Sequence, residues 1–150
     1  MITQDQNFQR NIYLVDDDED DRAMFADALT EVDGTVVLTQ AENGKQLMDM
    51  LQVQPNPMPE VVLLDINMPM KNGFECLEEI RTHEGDLKEL KVIMFSTCDN
   101  PESIKKALAL GATFYAVKPN SFHGLKSFIQ EVLQIDWFSP QLNHMEFRII

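Results

Sequence analysis

Val61-Val62-Leu63-Leu64-Asp65-Ile66-Asn67-Met68-Pro69 is an apolar run that breaks on a carboxylate and then meets a turn. Four aliphatic residues without alternation read as a strand buried on both faces, as inside a parallel sheet. A second run, Ile12-Tyr13-Leu14-Val15, ends in the same way on Asp16 and Asp17. Parallel strands bring their carboxyl ends to one sheet edge, where open α/β folds bind ligands. Three carboxylates gathered there repel one another unless a hard cation such as Mg²⁺ neutralises them.

The rest of the chain repeats this grammar. Strands are predicted at Asn11–Val15, Val36–Gln40, Val61–Asp65, Lys91–Phe95 and Thr113–Val117, each rich in β-branched, aliphatic or aromatic residues. Between and after them run helical stripes. Met24, Phe25, Ala28, Leu29 and Val32 form the first, and Phe122, Leu125, Phe128, Ile129, Val132 and Leu133 the last. Leu47–Leu51, Phe74–Ile80 and Ile104–Leu110 supply the other three. Asn43, Asn100-Pro101 and Ser121 are helix starts, Gly111 a helix stop, and Asp33-Gly34 and Asn72-Gly73 turns. Strict β-α alternation predicts an α/β doubly wound, five-stranded parallel sheet with five helices. Right-handed crossovers leave few topologies, of which the flavodoxin-like order 2-1-3-4-5 is a common one. In that order strands one and three are neighbours, so Asp16, Asp17 and Asp65 converge.

A chain of 150 residues suits a single domain with a substantial core, here about 11–135, followed by a tail over 136–150. Twelve basic against 25 acidic residues give a net charge of −13. Such a chain repels nucleic-acid phosphates and anionic lipid, which argues against direct binding to either. Two cysteines, Cys76 and Cys98, fit neither a disulfide framework nor a zinc site. With no long apolar stretch and no signal-like start, a cytoplasmic protein is expected.

Asp16 to Asp21 is a run of six acids. Asp18 to Asp21 read as a helix start, where carboxylates are favoured. Asp16 and Asp17 end a buried strand, where an unpartnered charge is costly, so they are candidate metal ligands. Ser96 follows the fourth strand, and Lys118 follows the fifth, just before Pro119. A hydroxyl, an ammonium and a hard cation around Asp65 suit formation of an acyl phosphate, because a carboxylate can act as nucleophile toward a phosphoryl group.

Val15-Asp16-Asp17, Leu64-Asp65-Ile66-Asn67-Met68-Pro69, Ser96-Thr97 and Val117-Lys118-Pro119 stand in family-like order and spacing. Over roughly Asn11 to Gln134 the chain resembles a response-regulator receiver domain of two-component signalling, like the single-domain chemotaxis regulator. The resemblance implies that Asp65 is the phosphoacceptor. It implies Asp17 as a direct Mg²⁺ ligand, Asp16 as a ligand largely through water, and Asn67 as a ligand through its backbone carbonyl. Ser96 is implied as the switch hydroxyl, Lys118 as the phosphoryl-pairing cation and Tyr115 as the aromatic that turns inward after them. The implied donor is a phosphohistidine on a sensor histidine kinase or phosphotransfer protein. Thr82 to Leu90 is longer than in the shortest receivers and resembles stand-alone receivers of the phytochrome-associated type. Nothing after the fifth helix resembles an output domain, so signalling by protein contact or onward phosphotransfer is expected.

A haloacid-dehalogenase-like aspartyl phosphatase is the alternative, with Asp16 and Asp18 as its acid pair. It leaves Asp65 without a role and meets Asp20 where that family places Thr or Val. A calcium loop from Asp16 fails because Asp21 stands where glycine is needed. The tail alternates Met145, Phe147 and Ile149 with polar residues, a pattern for an extended segment. It either lies along a sheet edge or a partner surface, a homodimer included, or frays beyond a packed Trp137 and Phe138.

Overall fold

A computed structural model describes residues 9–55 and 57–150. Five strands, β1 (Asn11–Val15), β2 (Val37–Ala41), β3 (Val61–Leu64), β4 (Val92–Ser96) and β5 (Phe114–Val117), form one parallel sheet in the order β2-β1-β3-β4-β5. Five helices alternate with them: α1 (Glu19–Val32), α2 (Gly44–Gln52), α3 (Gly73–Arg81), α4 (Pro101–Ala109) and α5 (Phe122–Gln134). The predicted class, order and element count all hold. The strand bounds differ by at most a residue at each end, the ordinary uncertainty of element termini.

The pleat sorts the core into two layers. Ile12 and Leu14 face α1 and α5 with Phe25, Ala28, Leu125 and Phe128. Tyr13 and Val15 face the opposite way, into a cluster with Leu47, Cys76, Leu77 and Ala107 of α2, α3 and α4. All four residues of β3 are 0% exposed, so the central strand is apolar along its whole length. In the α1/α5 layer Phe95 stacks on Phe128 with ring centroids 4.8 Å apart.

Local chemistry starts and stops the helices as the sequence predicts. Asn43, Asn100 and Ser121 accept backbone N–H bonds as N-caps, and Gly111 takes a left-handed φ of 96° just beyond α4. Asn72-Gly73, predicted as a turn, is the start of α3. Asn72 accepts from the Glu75 N–H and the Glu75 carboxylate accepts from the Asn72 N–H, a reciprocal cap that a turn-forming dipeptide can equally serve. The segment from Thr82 to Leu90 folds a short 3₁₀ turn at Asp86–Glu89. Of the predicted loop over 54–59, residue 56 lies outside the described residues.

The tail resolves in favour of the extended reading, within the chain itself. Trp137 is 3% exposed and packs edge-on against Phe114, whereas Phe138 is 86% exposed. The chain then returns along the outer edge of β5. Tyr115 donates its N–H to the Phe147 carbonyl at 2.9 Å, and the Ile149 N–H donates to the Tyr115 carbonyl at 3.0 Å. The period-two face does not survive. Phe147 packs with the α2/α3/α4 layer and Ile149 with the other, because the pairing is one residue long and straddles the sheet edge.

Candidate functional site

The carboxyl ends of β1, β3 and β5 carry the site. Backbone pairing fixes its floor: the Asp65 N–H donates to the Val15 carbonyl at 3.0 Å, and the Asp16 N–H to the Ala41 carbonyl at 3.1 Å. Lys118 follows β5 directly, and its own N–H donates to the Ser96 carbonyl at 2.8 Å. Its ammonium lies 2.6 Å from Asp16 Oδ2 and 3.3 Å from Asp65 Oδ2, drawing the ends of three strands to one point.

The turn after β3 requires a glycine. Gly73 donates its N–H to the Ile66 carbonyl at 2.9 Å, and a Cβ at Gly73 would collide with the Asp65 carbonyl oxygen. The start of α3 is thereby pressed against the residue that carries the central carboxylate. Met70, in the same loop, holds a φ of 69°, a backbone shape uncommon outside glycine.

Asp65 is 8% exposed, and its Oδ1 accepts from its neighbour's backbone N–H, Ile66, at 2.8 Å. Burial pushes its carboxyl up to about 6; the Lys118 charge opposes this and the Asp16 charge adds to it. The Lys118 ammonium goes the other way. Burial alone would lower it, but the Asp16 hydrogen bond and the Asp65, Asp16 and Asp21 charges together raise it. One carboxylate oxygen each from Asp16, Asp17 and Asp65 lies within 4.8 Å of the others. The Lys118 ammonium meets Asp16 and Asp65 and, among the described residues, no ion pair reaches Asp17, so the cluster keeps uncompensated negative charge, and an all-oxygen anionic set suits a hard divalent cation.

Ser96 is 1% exposed at the end of β4, its hydroxyl accepting from the Cys98 N–H at 3.2 Å. Tyr115, the aromatic that the resemblance implies as part of the switch, has its ring fully buried. Its hydroxyl donates to the Cys98 carbonyl at 2.6 Å, and the tail's Phe147 packs against the same cluster. Burial first, then the Cys98 contacts, push the Tyr115 hydroxyl up to about 12. Asn67 is exposed beside Asp65. Cys76 is buried and its thiol is pushed up to about 12 by that burial, whereas the half-buried Cys98 thiol is lowered, first by the hydrogen bond with Ser103.

Two residues escape a reading of the sequence. Arg22 is 9% exposed and donates to the Asp16 carbonyl at 2.6 Å, locking the β1–α1 turn from below. A single cation in the first turns of an acidic helix gives no signal of burial. Asp21 lies in the first turn of α1, as the sequence predicts, and in addition has its Oδ2 at 3.3 Å from the Lys118 ammonium. Asp18 does what was expected, capping α1 by accepting from the Asp20 and Asp21 N–H groups. The Asp18 carboxylate is thus taken up as an N-cap, while Asp65, which the phosphatase alternative leaves without a role, lies in the carboxylate cluster.

Among the described residues no helix is long and apolar enough to cross a membrane. A chemotaxis protein of the CheY type from Rhizobium etli, described as probable, is 31% identical over 121 residues, covering 81% of this chain and 90% of that protein. A CheY chemotaxis protein from Halobacterium salinarum is 30% identical, covering 83% of this chain and 97% of its own. The chain spans about half, 52%, of a probable C4-dicarboxylate response regulator from Bacillus subtilis, DctR, at 30% identity. Among solved structures, the phosphorylated cyanobacterial phytochrome response regulator RcpA superposes with a TM-score of 0.77 at 26% identity, over 88% of this chain and 96% of that one. The Mn²⁺-bound response regulator Rcp1 gives 0.73 at 27%, over 87% and 96%. The family model for the response regulator receiver domain matches residues 12–130, a span that runs from within β1 into α5 and holds the whole acidic edge. With sheet order, strand-end carboxylates and family match in agreement, the chain belongs to the receiver domain family of response regulators.

Proposed function

We propose that this receiver takes a phosphoryl group onto Asp65 and uses it as a signal. The observation that carries the reading is the Lys118 ammonium seated between Asp16 and Asp65 at the carboxyl edge. In the transfer, one Asp65 oxygen forms a P–O bond while the donor's P–N bond breaks, and the leaving imidazole takes a proton. The donor is a phosphohistidine of a sensor kinase or phosphotransfer protein, as for the family. Asp16, Asp17 and Asp65 with the Asn67 carbonyl would hold Mg²⁺, which when bound neutralises charge developing on the phosphoryl oxygens.

The chain's own residues do the remainder. The Ile66 N–H and the Lys118 ammonium orient the carboxylate, and burial keeps it more basic than an exposed aspartate. Lys118 pairs with a phosphoryl oxygen, and the Ser96 hydroxyl binds another, leaving its place under the Cys98 N–H. The Ser96–Cys98–Tyr115 chain then carries the change from the site to β5 and α4. Transfer and later hydrolysis are self-catalysed steps of a signalling domain, and the protein works in the cytoplasm with its kinase.

The test is labelling with a small acyl-phosphate donor in Mg²⁺, followed by intact mass. One phosphoryl group per chain is expected, and none on Asp65→Asn, which keeps the shape and removes the nucleophile. Undiminished labelling of Asp65→Asn would sink the assignment.

A further inference from the structure

An ammonium has three N–H donors. In this site all three have takers: Asp16 Oδ2 at 2.6 Å, Asp21 Oδ2 at 3.3 Å and Asp65 Oδ2 at 3.3 Å. No donor is left for a phosphoryl oxygen, so an incoming phosphoryl group has to displace one of the three.

The three partners differ in how readily they can be released. Asp16 is nearest and its side chain is 3% exposed; Asp65, at 11%, is the acceptor itself. A carboxylate set free inside the protein stays unsolvated, which is costly. Asp21 stands in the first turn of α1 with its side chain 43% exposed. On release it is rehydrated by bulk water, and the positive end of α1 still favours its charge.

Resting on the reading that Asp65 is the phosphoacceptor, we propose that Asp21 is a positioning residue that holds Lys118 in the resting protein and yields it to the phosphoryl group. Asp21 therefore sets the threshold for phosphorylation by competing for one N–H of Lys118. The competition is modest, because an ion pair with one exposed partner is worth little more than a few-fold in an equilibrium.

Labelling of Asp65 by acetyl phosphate at saturating Mg²⁺ is compared for wild type, Asp21→Ala, Asp21→Asn and Asp20→Ala. Asp20 is an exposed acid on the same turn and serves as the control for charge alone. Labelling should be about two- to five-fold faster in Asp21→Ala, the span an exposed pair allows. Asp21→Asn, which keeps an acceptor oxygen, should fall between, and Asp20→Ala should match wild type. In metal-free protein, the urea midpoint shift caused by Asp21→Ala should shrink in a Lys118→Met background, which shows that the pair itself is lost. Equal or slower labelling in Asp21→Ala, an equal gain from Asp20→Ala, or an undiminished shift in the Lys118→Met background each overturns the proposal. Absence of labelling in wild type fails the phosphoacceptor reading instead, and the two failures are thereby distinct.

Discussion

Replacing Asp65 by Asn should stabilise the metal-free protein at neutral pH. The Asp65 carboxyl is raised from its ordinary 3.8 to about 6, first by burial and then by Asp16, with Lys118 only partly compensating. The folded state thus prefers the protonated form. Stability contributed by this group is fully present below about pH 4 and is lost as pH rises through about 6. A shift of about two units corresponds to roughly 3 kcal/mol at pH 7.5, an upper bound because Asn also forfeits the Lys118 contact. Asn keeps a carbonyl for the Ile66 N–H, so no backbone donor is orphaned. Urea unfolding in EDTA reads this as a higher midpoint for Asp65→Asn, by at most about 1–3 M for urea slopes of about 1–3 kcal/mol per molar. The gap should close as pH falls toward 4. Adding Mg²⁺ should raise the midpoint of wild type far more than that of Asp65→Asn, because a ligand stabilises only the state that binds it. A metal-free Asp65→Asn protein less stable than wild type at pH 7.5, or a gap that does not depend on pH, would show that burial does not penalise the Asp65 carboxylate.

Other sites give sharper local tests. Ser96→Ala removes the hydroxyl that accepts from Cys98 N–H; it should still take up phosphoryl but lose the phosphorylation-dependent gain in partner affinity, and wild-type coupling in calorimetric titrations would contradict this. Gly73→Ala drives a Cβ into the Asp65 carbonyl oxygen, so labelling should fall at least tenfold while circular dichroism stays native; unimpaired labelling would refute the role of that contact. Deleting 140–150 uncovers the Tyr115 backbone groups and the apolar faces beneath Leu142 and Phe147, which should lower the melting temperature and promote edge-to-edge association. Unchanged melting and light scattering in the truncated chain would show that the tail contributes nothing there.

The fold was legible because each strand of this sheet is written in unbroken apolar residues bounded by turn formers. Val61 to Leu64, short and flanked by prolines on both sides, reads as a buried strand, and the acid that follows then sits at its carboxyl end. The site was legible for the same reason, since Asp16, Asp65, Ser96 and Lys118 each lie at a strand end and the sheet order brings them together. Asp21 and Arg22 were not, because their roles depend on how far α1 rotates over the sheet edge, and an acidic first turn looks alike whether or not it meets a lysine. The tail's pattern announced an extended segment but not its pairing partner, which is set by the free edge of β5 and by Trp137 anchoring against Phe114. Tyr115 sits on this same strand, with its backbone paired to the tail and its ring in the layer that Phe147 packs against.

Asp65 itself is the residue proposed to form an acyl phosphate. Borohydride cleaves an acyl phosphate reductively and leaves homoserine in place of the aspartate. Wild-type protein is to be labelled with acetyl phosphate and Mg²⁺, reduced, digested and mapped by peptide mass. Homoserine at position 65 alone, dependent on both donor and Mg²⁺, is the predicted result. Reduction at Asp16, Asp17 or Asp21, or no reduction at 65 in protein that carries phosphoryl, would contradict the account.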